Sequence, residues 1–214
     1  MKISIDLWGT LIKSSPLFNV AKINLVKEVF GNEDDQKIKE TFAYTKRGFN
    51  TVIEISGMHF SRIQIFSAFH FHLYEKEVNY KKLIHFINEY DQIAKQYPCL
   101  VYSDETIPEL EKLSYLTPHI VLSSNTMMLN SNVLMGYLEE YYLTQFFEDV
   151  FFSDVVGHSK PHISMYDNSN YHIGDNHNTD FVGALNAGSQ GFLINSNDKT
   201  LKDAYDFIIS TEGV

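Results

Sequence analysis

Ile3-Ser4-Ile5-Asp6-Leu7-Trp8-Gly9-Thr10-Leu11 is the stretch on which the reading of this chain turns. A short apolar run stops at an aspartate, and a small Gly9 and a hydroxyl residue, Thr10, follow at once. A carboxylate at the end of a buried strand is costly unless it is paired or holds a metal. Open α/β sheets carry their reacting groups at the carboxyl ends of their strands. Asp6 is therefore the candidate chemical centre, and the rest of the chain is read for its partners.

The composition bounds that search. The chain has 214 residues, 44% of them hydrophobic, with 16 Phe and 13 Tyr, enough for a real core and unlike a disordered chain. The one cysteine, Cys99, excludes an internal disulfide and a zinc ribbon. That usage suits a reducing cytoplasm, the expected location. No apolar run approaches the roughly 20 residues of a membrane helix, and the start of the sequence reads as a strand rather than a signal segment. The net charge of −10 lacks the basic stripes that nucleic acid requires. The expected partner is a small molecule.

Working outward from Asp6, residues 2–6 predict a buried strand and residues 7–13 a turn. From Pro16 to residue 97 the spacing is almost wholly helical: one helix to Gly31-Asn32, a second over 33–47 ended by Gly48, a third over 58–76 and a fourth over 79–95. After that the pattern alternates. A helix over Thr106–Leu116 precedes a strand at Ile120–Leu122 that runs into Ser123-Ser124-Asn125. Helix Leu129–Leu143 precedes strand Val150–Phe152, followed by Gly157-His158-Ser159-Lys160. Strand Tyr171–Ile173 ends in Gly174-Asp175, and helix Asp180–Ala187, strand Phe192–Ile194, a short helix Thr200–Ala204 and a last strand Phe207–Ile209 complete the chain. Alternating strands and helices imply a parallel sheet covered on both faces. The expected fold is α/β: a Rossmann-like core over residues 1–13 and 99–214, with an inserted all-helical cap over 14–98.

A parallel sheet brings Asp6, Ser124, Lys160, Asp175 and Asp180 to one edge. Two adjacent carboxylates repel unless a cation lies between them, and Asp6 with Asp175, backbone carbonyls and water is a fair Mg²⁺ site. Lys160 adds a fixed positive charge, and Ser124 adds a donor. An anion pocket beside a carboxylate nucleophile suits phosphoryl transfer to aspartate, where catalysis is mostly positioning and electrostatics.

Asp6-Leu7-Trp8-Gly9-Thr10-Leu11, Leu122-Ser123-Ser124-Asn125, Val156-Gly157-His158-Ser159-Lys160-Pro161 and Ile173-Gly174-Asp175 with Asp180-Phe181-Val182-Gly183-Ala184 resemble, in order, the four motifs of the haloacid dehalogenase-like hydrolase superfamily. The helical insert matches that family's type 1 cap position. The resemblance implies that Asp6 is nucleophile and metal ligand. It implies that Trp8 gives its backbone carbonyl to the metal, Asp175 is a ligand, Ser124 binds the transferred group, Lys160 neutralises charge, and Asp180 holds a metal water or Lys160. Trp8, Gly9, Thr10 and Asn125 are expected at the substrate. Apart from the resemblance, Lys46-Arg47-Gly48 at a helix end reads most simply as a charge complement to the helix C-terminus and alternatively as an anion clamp reaching in from the cap, with Arg47 the residue expected at the substrate. The implied activity is Mg²⁺-dependent hydrolysis of a small phosphate ester.

One departure from the family pattern stands out. Its phosphatases carry a second aspartate two residues after the nucleophile, as general acid and base. Here that residue is Trp8, and indole donates no proton to a leaving alkoxide. An aromatic at this place resembles the metal-independent dehalogenase branch, whereas Gly174-Asp175 keeps the metal-binding form. A 2-haloacid dehalogenase and a catalytically weak binding protein are the alternatives, and His158 and His177, which flank the expected site, are the candidates to replace the acid.

Overall fold

The computed structural model describes residues 1–195 and 198–213. Strand β1, Ile3–Ile5, is fully buried, and its amides and carbonyls pair on both sides. After a short β2 (Ile12–Lys13), four helices follow: α1 (Pro16–Phe30), α2 (Asp35–Ser56), α3 (Arg62–Tyr74) and α4 (Tyr80–Gln96). The chain returns through β3 (Leu100–Val101), which pairs antiparallel with β2. This two-stranded ribbon ties together the points where the chain leaves for the helical block and comes back.

The remainder alternates as expected: α5 (Thr106–Leu116), β4 (Ile120–Ser124), α6 (Ser131–Glu140), β5 (Asp149–Phe152), α7 (Ser153–Val156), β6 (Tyr171–Gly174), α8 (Gly183–Asn186), β7 (Gln190–Leu193) and α9 (Leu201–Glu212). The main sheet has the order β5-β4-β1-β6-β7, all parallel. Ile3 sits opposite both Ile120 and Tyr171, so β1 is the central strand. The Asp6 amide continues the ladder by donating to the Ile173 carbonyl at 2.8 Å. The architecture is an α/β Rossmann-like core with a helical cap inserted after its first strand.

The cap helices begin where side chains satisfy their free amides. Asp34 accepts from the Gln36 and Lys37 amides at α2, Asn79 from those of Lys81 and Lys82 at α4, and Ser61 with Gln64 forms a capping box at α3. Their apolar faces meet in an aromatic cluster: Phe30 lies 4.7 Å from Phe86, Phe66 5.2 Å from Phe86, and Phe66 4.9 Å from Tyr90, centroid to centroid. Phe66, Phe86 and Tyr90 are buried, and each such ring contributes about 1.5–3 kcal/mol; Phe30 packs on them from a half-buried position. No helix among the described residues is long and apolar enough to cross a membrane.

Three predicted elements are corrected. Helix α2 does not stop at Gly48 but runs to Ser56, where Gly57 provides the left-handed cap at φ 66°. Buried Thr45 and Ile53, with Phe49 packed on Phe60, continue the helix's packed face past Gly48 and outweigh the modest cost of one mid-helix glycine. The expected last strand, Phe207–Ile209, lies inside α9. Thr200 and Asp203 cap that helix reciprocally, and Leu201, Ala204 and Ile208 bury one helical face, which overrides the strand preference of the local residues. The predicted helix Asp180–Ala187 is instead a π-helical turn, His177–Val182, followed by α8.

Candidate active site

The carboxyl edge of the sheet gathers the polar groups into one cluster. Asp6, just past β1, is 5% exposed, and Lys160, beyond α7, is 1% exposed. The Lys160 ammonium donates to Asp6 Oδ1 at 2.6 Å and to Asp180 Oδ1 at 2.7 Å. Thr10 Oγ1 donates to the other Asp6 oxygen at 3.1 Å. Oxygens of Asp6, Asp175 and Asp180 lie within 4.8 Å of one another. A cavity of about 390 Å³ opens above them, between the sheet edge and the cap.

Local backbone makes this approach possible. Gly9 adopts φ 77°, and a Cβ there would lie 2.2 Å from Asp175 Oδ2, so only glycine lets the first turn pass the second carboxylate. A Cβ on Gly174 would stand 2.4 Å from Asp180 Cγ. The π-helical turn swings Asp180 back beneath the site, where its Oδ2 accepts the Asn176 amide at 2.9 Å. π-Turns of this kind are frequent at functional sites.

The electrostatics are unbalanced. Three carboxylates face one ammonium. Burial, opposed by Lys160 but aided by Asp180 and Asp175, pushes the Asp6 carboxyl up to about 7. Burial and the neighbouring Asp180 raise Asp175 to about 6. Burial works against the charged form of Lys160, yet Asp180 and Asp6 outweigh it and hold the ammonium above the ordinary lysine range. For Asp180 burial is likewise outweighed, by Lys160 and His172, and its carboxyl is held low. The surplus of negative charge, made of hard oxygen donors on Asp6 and Asp175, fits a Mg²⁺ ion.

Ser124, at the end of β4, lines the cavity with its buried Oγ free of any hydrogen-bond partner among the described residues. Ser123 Oγ is also unpartnered, but Ser123 does not line the cavity, because successive strand residues face opposite sides. Trp8, on the turn after Asp6, packs partly on the core and partly on the cavity wall.

Other expected substrate contacts are placed differently. Thr10 is buried against Asp6 and Gly9 against Asp175, and neither lines the cavity. Asn125 lines it, but its amide clamps the Lys160 backbone, accepting from Lys160 N at 2.7 Å and donating to Lys160 O at 3.1 Å. Arg47 is exposed and off the cavity. Because α2 continues past Gly48, its 3.6-residue period brings Lys46, Asn50, Ile53 and Glu54 to the cleft and turns Arg47 away. His158 stacks on His162 at 3.8 Å, and His177 is exposed beside Asn178; neither reaches the cavity wall.

Three participants carry no signal in the residue pattern. His172, buried in β6, bridges Asp180 Oδ1 (3.1 Å from Nε2) and Ser4 Oγ (2.9 Å from Nδ1). Burial holds its ring below the ordinary imidazole range, so the neutral form donates from Nε2 to Asp180 and accepts from Ser4. Glu54 accepts from Asn176 Nδ2 at 3.1 Å and Asn178 Nδ2 at 2.9 Å, joining the cap to the loop that carries Asp175. Lys22 of α1 lines the cavity from the cap side.

No protein-family model and no curated protein matches this sequence. Solved structures do match its fold. The HAD-hydrolase YfnB of Bacillus subtilis, solved bound to magnesium, aligns over 97% of both chains with a TM-score of 0.70 and 17% identity. A predicted phosphoglycolate phosphatase of Haemophilus somnus aligns over 97% of both with a TM-score of 0.66 and 17% identity. The L-2-haloacid dehalogenase of Xanthobacter autotrophicus aligns over 88% of this chain and 74% of its own, with a TM-score of 0.57 and 15% identity. With its central β1, its polar sheet edge and its helical insert, this chain has the fold of the haloacid dehalogenase-like hydrolases.

Proposed function

We propose that the chain is a Mg²⁺-dependent phosphatase that hydrolyses a small phosphate ester through an aspartyl-phosphate on Asp6. The observation that carries this reading is the charge count at the sheet edge. Asp6, Asp175 and Asp180 share one ammonium, and a metal-independent reaction leaves that surplus without purpose. Asp6, Asp175 and the backbone carbonyl of Trp8 would hold the ion, which supplies charge neutralisation to the phosphoryl oxygens.

The protein groups have distinct tasks. Lys160 and Thr10 each hold one Asp6 oxygen, fixing the carboxylate. An Asp6 oxygen attacks phosphorus, the bond from phosphorus to the ester oxygen breaks, and the alcohol leaves with a proton from solvent. Water then attacks phosphorus, the bond to Asp6 breaks, and inorganic phosphate and the carboxylate are released. Ser124 Oγ and Lys160 stabilise the charge spread over the transferred group. The helical cap closes the cavity and limits its content to a small ester.

Trp8 supports a specific substrate preference. Among the described residues no histidine lines the cavity, and Trp8 occupies the place of the family's general acid. Aryl phosphates, whose leaving group needs no protonation, are therefore turned over about 10²–10⁴-fold faster than alkyl phosphates in the presence of magnesium. Steady-state rates on p-nitrophenyl and ethyl phosphate, with magnesium and with chelator, test this. Equal rates on both would place an acid elsewhere. Chloride release from a 2-haloacid without magnesium would instead select the dehalogenase chemistry.

A further inference from the structure

The cap wall of the cleft carries charge that the proposed reaction does not use. Lys22 on α1 and Lys46 on α2 both line the catalytic cavity. Both also line a second cavity of about 570 Å³ between α1 and α2, so that with Met128 they stand at the partition between the two. Lys22 is half-buried, its ammonium 5.1 Å from the Phe42 ring centre and 5.9 Å from that of Phe18. Among the described residues the one charge acting on it is that of Lys46, and burial together with this like charge pushes it down to about 8.

The nearby carboxylates do not neutralise the pair. Asp35, on the second cavity, is ion-paired with Lys27. Glu54 lies eight residues beyond Lys46 on α2, about 12 Å along the axis, and its oxygens are taken by Asn176 and Asn178. Lys46 acts only at a distance on Asp175. Two like charges on one cavity wall, Lys22 half-buried and Lys46 exposed, gain most when an anion lies between them. The transferred phosphate belongs to the opposite wall, at Ser124 and Lys160, so the anion that reaches the lysines is a different group of the same molecule.

Resting on the phosphatase reading of this cleft, we infer that Lys22 and Lys46 form a second anion subsite, which selects phosphate esters whose leaving portion carries a carboxylate or a second phosphate. The subsite sets affinity for the leaving portion, and it takes no part in bond making or breaking.

Binding of non-hydrolysable phosphonates tests this apart from catalysis. Calorimetry compares ω-phosphonocarboxylates having one to three methylenes, and alkylene bisphosphonates of the same lengths, with matched alkylphosphonates. At least one length of an acid-bearing ligand binds about tenfold or more tightly than its alkyl counterpart. Lys22→Met and Lys46→Met each remove that advantage, and Lys22→Arg keeps it. A preference for the bisphosphonate identifies a second phosphate as the recognised group, and one for the phosphonocarboxylate a carboxylate. Equal binding of acid-bearing and alkyl ligands at every length overturns the proposal, as does an advantage that survives both Met variants. If the advantage is present but no phosphate ester is hydrolysed, the subsite stands and the phosphatase reading fails.

Discussion

The two walls of the cleft are built on opposite principles. On the core wall most charges are buried and interlocked: Lys160 bridges Asp6 and Asp180, Asn125 clamps the Lys160 backbone, and His172 supports Asp180 from beneath, while Asp175 is half-buried beside them. On the cap wall Lys22 and Lys46 stand, among the described residues, without a carboxylate of their own. Interlocked groups cannot move without cost, which suits atoms that must meet phosphorus in one geometry. Unengaged lysines can follow a ligand, which suits recognition. The contrast assigns reaction to the sheet edge and selectivity to the helices.

Breaking the core wall has the largest expected effect. Lys160→Met leaves Asp6 and Asp180 buried together with no counter-charge, and metal-free stability falls by about 3–5 kcal/mol. Turnover falls about 10²–10³-fold at the same time. Urea denaturation and steady-state kinetics read both, and a variant as stable as the parent would show that the bridge is not the keystone of this wall.

Protons and metal compete for the same carboxylates, which gives the next effect. Asp6 and Asp175 have pKa values raised to about 7 and about 6 by burial. Between pH 4 and 7 the metal-free folded state therefore binds more protons than the unfolded chain, and these groups lower stability as pH rises. Magnesium favours their ionised forms, so its affinity weakens as pH falls through 7 and then 6, by about tenfold per unit for each proton displaced. Titration calorimetry at pH 8, 7 and 6 checks this; a flat profile would mean that neither carboxyl is protonated before the metal binds.

The sheet edge was legible in the sequence because a buried strand admits polar residues only for a reason. Asp6, Ser124 and Asp175 each end an apolar run, and the parallel topology brings them together without further information. Asp180 was legible as a partner of Lys160, although the π-helical turn that aims it was not. His172 was hidden, since a histidine inside a strand reads as an ordinary alternate position. The cap wall was misread for one reason. Taking Gly48 as a helix end removed the period that separates Lys46 from Arg47, and a single step of 100° decides which of them reaches the cleft.

His172 offers a finer probe of the core wall. His172→Phe removes both the Asp180 and the Ser4 hydrogen bonds and costs about 1–3 kcal/mol. His172→Gln, which keeps a donor toward Asp180, recovers part of the stability and of the turnover number, whereas a purely space-filling role would favour Phe. Smallest of all is Gly48→Ala on the cap. A Cβ there meets nothing within 4 Å, and the helix is continuous through this position. The substitution stabilises by about 0.5–1 kcal/mol in thermal unfolding; a loss of stability would contradict the helical reading of residues 46–54.

The claim that reaction resides at Asp6 is tested most directly by trapping its intermediate. Turnover of radiolabelled p-nitrophenyl phosphate with magnesium is quenched in acid, and the protein is digested and mapped. The account predicts label on the peptide containing Asp6, in a linkage cleaved by hydroxylamine, and neither label nor hydrolysis with Asp6→Asn. Hydrolysis that proceeds without label on that peptide, or that survives Asp6→Asn, would contradict it.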